Sequence, residues 1–245
     1  MEAKQSNDEF PRIVAIETSS RIGSVAVASG DRMLGTQQFS KAMRHAVELM
    51  PAIRDLTRGQ GWKPGDIQHV YVSVGPGSFT GIRIAVTIAR ALQQALGCKL
   101  ISVPTVDVLA ANAPAHVMDM AVLLDAKRGQ VYAARYQRRA HSEVLHRMQG
   151  PLLTDPAALL SQAPHPLHIL GEGIDYHRDA ITGSEGETIE VDRSLWQPQA
   201  AMVHKLGWAL AQSGTFTDRD QLLPIYLRKA EAEEVWEKKH QASTL

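Results

Sequence analysis

Gly75-Pro76-Gly77-Ser78-Phe79-Thr80-Gly81 ends one apolar run, His69 to Val74, and opens another, Ile82 to Leu96. A strand stops here and a helix starts. Gly75, Gly77 and Gly81 allow backbone geometry closed to residues with a Cβ, Pro76 fixes one φ, and Ser78 or Thr80 is placed to cap the new helix. Such a turn aims free N–H groups and the positive end of the helix dipole at whatever lies above it, which suits phosphate or carboxylate. It lacks the Gly-Lys-Ser/Thr entry of a P-loop and the glycine spacing of a dinucleotide fingerprint. Two readings stand: an anion seat, or a turn packed against a neighbouring backbone.

Upstream, Ile13 to Ile16 leads through Glu17-Thr18-Ser19-Ser20 into Gly23 to Ala28, and Gly30-Asp31 turns the chain into Met33 to Phe39. This reads as a three-stranded antiparallel meander. Arg44 to Leu56 carries apolar residues at the spacing of one helix face, with Pro51 inside it predicting a kink or a distinct first turn. The helix Ile82 to Leu96 is apolar nearly all round its axis, which predicts cover on two sides where one sheet supplies only one. Lys99 to Val103 is a further strand and Thr105 to Ala113 a short helix.

The pattern then restarts. Ala121 to Leu124 ends in Asp125, a polar turn runs to Gly129, and Val131 to Tyr136 follows, as Ile13 to Ile16 leads through Glu17 to a second strand. A strand at Leu145 to Leu152, a helix from Asp155 to Ala163 and a strand from Leu167 to Leu170 extend the parallel. The fold class expected is α/β: two similar halves with mixed sheets flanked by helices, and a cleft between them. The divisions are a leader over 1–11, a first half over 12–113 completed by a helix near 198–228, a second half over 114–197, and a charged tail over 229–245. Gly183 to Glu190 reads as loop and Leu223 to Leu227 as a final extended segment.

Equal counts of Lys+Arg and Asp+Glu, 26 each, give no global field to attract nucleic acid or an acidic membrane. The clusters Arg138-Arg139 and Lys238-Lys239 read as solvated surface. No run approaches the roughly 20 apolar residues of a membrane helix. Cys98 is the single cysteine, which suits a reducing cytoplasm and a buried, inert thiol. None of the ten histidines forms a ligand pair on a credible element, and Gly77-Ser78-Phe79-Thr80-Gly81 misses the nucleophile elbow by one residue. Glu17 and Asp125, at the mouths of corresponding strands, sit where enzymes built from two such halves hold a magnesium–nucleotide. The alternative is that each carboxylate caps its own turn.

Five stretches carry a family resemblance: Ile13-Val-Ala-Ile-Glu-Thr-Ser-Ser20, His45-Ala-Val-Glu-Leu-Met-Pro51, Gly75-Pro-Gly-Ser-Phe-Thr-Gly-Ile-Arg83, Asp125-Ala-Lys-Arg-Gly-Gln-Val-Tyr132 and Pro224-Ile-Tyr-Leu-Arg228. In this order they resemble the TsaB (YeaZ) family of bacterial tRNA-modification subunits. The resemblance implies two RNase H-like halves of the actin, Hsp70 and sugar-kinase (ASKHA) type. It implies a cytoplasmic, non-catalytic partner of TsaD that works with the ATPase TsaE to place a threonylcarbamoyl group on the adenosine beside the anticodon of tRNAs reading A-starting codons. Alone, such a chain is expected to form a homodimer, and to meet tRNA mainly through the complex. TsaD carries a His-x-x-x-His metal pair after the strand that follows its glycine loop; here Thr105 and Leu109 fall at those places, and neither side chain is a metal ligand. ATP or ADP, bound in the cleft or at the joint with the partner, would be touched by Glu17, Thr18, Ser19, Gly75, Gly77, Ser78 and Asp125. The partner contact is expected at His45, Leu49, Met50, Ile53, Ile82, Val86 and Ala89, so that Ile53→Glu weakens partner binding in a folded monomer. An autonomous kinase or ATPase of the same fold is the competing expectation, and a homodimeric scaffold without nucleotide a third.

Overall fold

The computed structural model describes residues 10–139, 144–184 and 186–228. The first sheet is built from β1 (Arg12–Glu17), β2 (Ser24–Ser29), β3 (Arg32–Gln38), β4 (His69–Ser73) and β5 (Lys99–Val103), in the order β3-β2-β1-β4-β5. β1 runs antiparallel to β2 and parallel to β4, and β4 parallel to β5. Helices α1 (His45–Gly59) and α2 (Phe79–Leu96) join these strands, and α3 (Thr105–Ala110) leads out.

The second sheet repeats the plan. β6 (Asp119–Asp125) pairs antiparallel with β7 (Val131–Arg138), which pairs with β8 (Leu145–Thr154). After α4 (Pro156–Ser161), β9 (Leu167–Leu170) lies parallel to β6. The short helices α5 (Gly173–Tyr176) and α6 (Arg178–Thr182) precede β10 (Thr188–Glu190), giving the order β10-β9-β6-β7-β8. The stretch read as loop from Gly183 to Glu190 thus contains a strand. β10 has three residues, none of them buried, and pairs parallel with β9 from Thr188↔Leu167, so no buried periodicity announces it.

β1 explains why the first half has two cores. Val14 and Ile16 face a cluster shared with α1 and α2, whereas Ile13 and Ala15 face α7 (Ala200–Gln212) through Ala200 and Val203. A strand covered on both faces needs a continuous apolar run, which is what Ile13 to Ile16 supplies. α7 follows the second half in sequence and packs across β1, β2, β4 and β5 of the first sheet.

The helix surfaces differ from expectation. Leu49, Ile53, Ile82, Val86 and Ala89, expected at a partner contact, are all 5% exposed or less and lie in the chain's own core. The five-stranded sheet is wide enough to take the inner stripe of both helices, so an acid at Ile53 would enter that core. His45 is buried too, and of the seven residues only Met50 is exposed, at 45%. α2 is not covered on two sides: Ile84, Ile88 and Leu92 form a half-buried shoulder, and Arg83, Thr87 and Ala91 face solvent. α1 continues through Pro51, which is exposed, so water can satisfy the carbonyl that its ring leaves unpaired.

Arg138 is also a correction. It is 9% exposed rather than solvated, its Nε donating to Val117 O at 2.9 Å and its Nη2 to Pro114 O. Cys98 is buried, which pushes its thiol up to about 11. Of the expected leader, Pro11 is held by Gly30 N–H and Phe10 lies against Gly30; residues 1–9 and the tail from 229 lie outside the described residues.

Candidate functional site

Three turns carry the expected site residues. The first follows β1. Glu17 is fully enclosed, and its Oε1 accepts from Ser19 N–H and Ser19 Oγ–H, both at 2.5 Å. Its Oε2 has no hydrogen-bond partner among the described residues. Burial pushes the Glu17 pKa up. The Ser73 hydroxyl, engaged with Thr105 Oγ1 at 2.8 Å, offsets part of that rise without completing a bond to Oε2. His45, at the start of α1, reaches Ser20 O through Nε2 at 3.0 Å. A carbonyl only accepts, so that nitrogen carries a proton, and burial lowers the pKa of the ring while the bond to Ser20 O raises it in part.

The glycine loop closes against this turn. Ser78 N–H donates to Ser19 O at 2.7 Å, Thr18 Oγ1 donates to Gly81 O at 2.7 Å, and Ser78 Oγ caps α2 by accepting from Gly81 N–H at 3.3 Å. A Cβ at Gly77 would lie 2.4 Å from Ser19 O and one at Gly81 only 1.9 Å from Thr18 O. The glycines at 77 and 81 therefore serve close backbone approach. Ser19 O occupies the place an anion would take at the Ser78 amide, so that N–H is not offered to a phosphate. Glu17 Oε2, enclosed as it is, cannot reach a ligand.

The third turn joins β6 to β7. Asp125 Oδ1 accepts from Lys127 N–H at 2.9 Å, and Oδ2 pairs with Lys127 Nζ at 2.6 Å. Burial raises its pKa, but the bonds from Lys127 and the nearby His177 outweigh this, leaving the carboxyl below its ordinary range. Like Glu17, it caps its own turn. Glu172 stands beside it, its pKa raised by burial and by the charge of Asp125 and lowered by Lys127 and by Arg21 of the first turn. Arg21 of the first half and Glu172 of the second are thus within electrostatic reach of one another.

Sequence reasoning missed Glu172, Arg21 and His177. A signal was present for the first: Gly171-Glu172-Gly173 follows β9 as Gly75-Pro76-Gly77 follows β4. A Cβ at Gly171 would lie 2.3 Å from Leu123 O, the same close approach in the second half. Leu223 to Leu227, outside any strand, then bridges the halves. Ile225 N–H donates to Val74 O at 2.8 Å, Arg83 Nε donates to Tyr226 Oη at 2.8 Å, and Arg228 bonds Ala126 O and Gln130 Oε1 on the third turn. Thr105 and Leu109 are both buried, the first against Ser73 and the second in the second core. Among the described residues no group of three or more His, Cys, Asp or Glu side chains could hold a metal ion, and no helix is long and apolar enough to cross a membrane.

A meander followed by two parallel strands, occurring twice, defines the class: two RNase H-like halves of the actin, Hsp70 and sugar-kinase type. A family model described as TsaD, tRNA N6-adenosine threonylcarbamoyltransferase, matches residues 39–236. The tRNA threonylcarbamoyladenosine biosynthesis protein TsaB of Bacillus subtilis is 30% identical over 91% of this chain and 97% of its own, and that of Escherichia coli 27% identical over 89% and 94%. The solved structure of YeaZ from Pseudomonas aeruginosa superposes with a TM-score of 0.75 at 25% identity, covering 89% of this chain and all of that one. The chain belongs to the TsaB (YeaZ) family.

Proposed function

We propose that this chain serves the threonylcarbamoyladenosine modification of tRNA as a cytoplasmic, non-catalytic subunit that binds and supports a TsaD-type transferase. Its own part is to dock, and any ATP or ADP binds at the joint with that partner. TsaE joins through the pair, tRNA is met mainly through the complex, and the chain pairs with itself when alone.

The observation that carries this reading is the apolar surface left on the first half. Val47 is 60% exposed, Met43 60%, Met50 45% and Phe79 36%, beside the half-buried shoulder of Ile84 and Ile88. Burying an apolar side chain contributes roughly 1.5–3 kcal/mol, so six contribute about 9–18 kcal/mol against an association cost of about 4–15 kcal/mol.

Val47→Asp combined with Met50→Asp places two charges on that surface and touches nothing in the core. Binding to the organism's TsaD, followed by titration calorimetry, is expected to weaken about 100-fold or more, with the thermal melt of the chain unchanged. The parent chain given magnesium and ATP is expected to show no sustained turnover until TsaD, TsaE and tRNA are added. Unchanged affinity in the double variant removes the docking surface. Sustained hydrolysis by the chain alone favours an autonomous kinase or ATPase.

A further inference from the structure

Away from the three turns, a groove of about 740 Å3 lies between α7 of the first half and the β7–β8 edge of the second, bordered by α3. Leu145, Leu206, Ala209 and Leu210 give it apolar walls. Asp107 lines it too, but its carboxylate is spent, accepting from Tyr136 Oη at 2.7 Å and from Arg147 Nη1 at 2.9 and 3.0 Å. Lys205 stands exposed on the rim and makes no ion pair among the described residues. This combination fits an aromatic anchor flanked by acids.

The chain itself supplies such a segment. Arg228 grips the β6–β7 turn, and beyond it Glu231, Glu233, Glu234 and Glu237 surround Val235 and Trp236. From Val131, beside that turn, to Tyr136 in the groove is five strand steps, about 17 Å. Eight residues, from Arg228 to Trp236, span up to about 26–29 Å when extended. We infer that the groove is the seat of Glu231–Glu237 of the same chain, with Trp236 between the α7 leucines and a glutamate against Lys205. The inference is independent of the TsaD partnership.

Zero-length carbodiimide cross-linking of the full chain tests it, read by peptide mass spectrometry on a mixture of 14N- and 15N-labelled protein. The expected product joins Lys205 to Glu233, Glu234 or Glu237 within one isotope. Its yield is expected to fall about tenfold in Trp236→Ala, which removes the anchor, and in Ala209→Asp, an exposed position where the acid repels the segment without touching the core. No Lys205 product, a product only between isotopes, a yield no higher than at Lys41 or Lys63, or yields in the two variants equal to that of the parent would each overturn the inference.

Discussion

Gly81→Ala is expected to remove at least ~3 kcal/mol of stability, or to prevent folding altogether. At an ordinary helical position alanine in place of glycine gains up to about 1 kcal/mol. Here the new Cβ would stand 1.9 Å from Thr18 O and 3.1 Å from its carbonyl carbon, and both are backbone atoms. Neither side can yield. The turn carrying Thr18 is held by Ser19 on Glu17, by His45 on Ser20 O and by Ser78 N–H on Ser19 O, while Thr18 Oγ1 is bonded to the Gly81 carbonyl itself. Moving α2 outward instead would open the core beneath Ile82, Ala85 and Val86. Gly59→Ala, at the end of α1 with nothing within 4 Å of its Cβ, is the control and should be neutral or slightly stabilising. Urea midpoints by circular dichroism compare the two. A Gly81→Ala midpoint within about 1 kcal/mol of the parent means that the turn and the loop are not locked together.

The glycine loop was legible because three glycines and the capping Ser78 stand within seven residues, although the backbone that Gly77 and Gly81 make room for, at Ser19 and Thr18, lies far away in sequence. The repeat was legible for a similar reason, since Glu17 and Asp125 each close a strand directly after an apolar run, Ile13 to Ile16 and Ala121 to Leu124. What did not show was decided by distant contacts. Ile82 and Ile84 are the same residue type two positions apart, yet one is in the core and the other on its shoulder, and only the sheet beneath them distinguishes the two. Arg138 is buried because carbonyls at Pro114 and Val117 receive its guanidinium, which no charge pattern reveals. At the site, the position of Glu17 was readable but its state was not, because burial and the Ser73–Thr105 pair set it from outside its own strand.

That state leads to the second large effect. Glu17→Gln is expected to stabilise the chain at pH 8 by ~1–3 kcal/mol, the usual cost of a buried group left unsatisfied, and to change little at acid pH. The fold raises the Glu17 pKa, burial being the main cause, so the folded chain keeps its proton where the unfolded chain has released it. Stability from this carboxyl is therefore fully present below the ordinary carboxylate range and is lost as pH rises through the raised value. Glutamine does not titrate. Its carbonyl oxygen still accepts from Ser19 as Oε1 does, and its amide puts a donor where Oε2 lacks a partner, next to the Ser73 hydroxyl. The difference between variant and parent should thus grow from about pH 4.5 upward and level off once the folded parent has ionised. Urea unfolding at a series of pH values measures it directly. A difference that does not depend on pH, or a variant less stable than the parent at pH 8, would mean that Glu17 is held as a satisfied carboxylate and that its second oxygen has a partner after all.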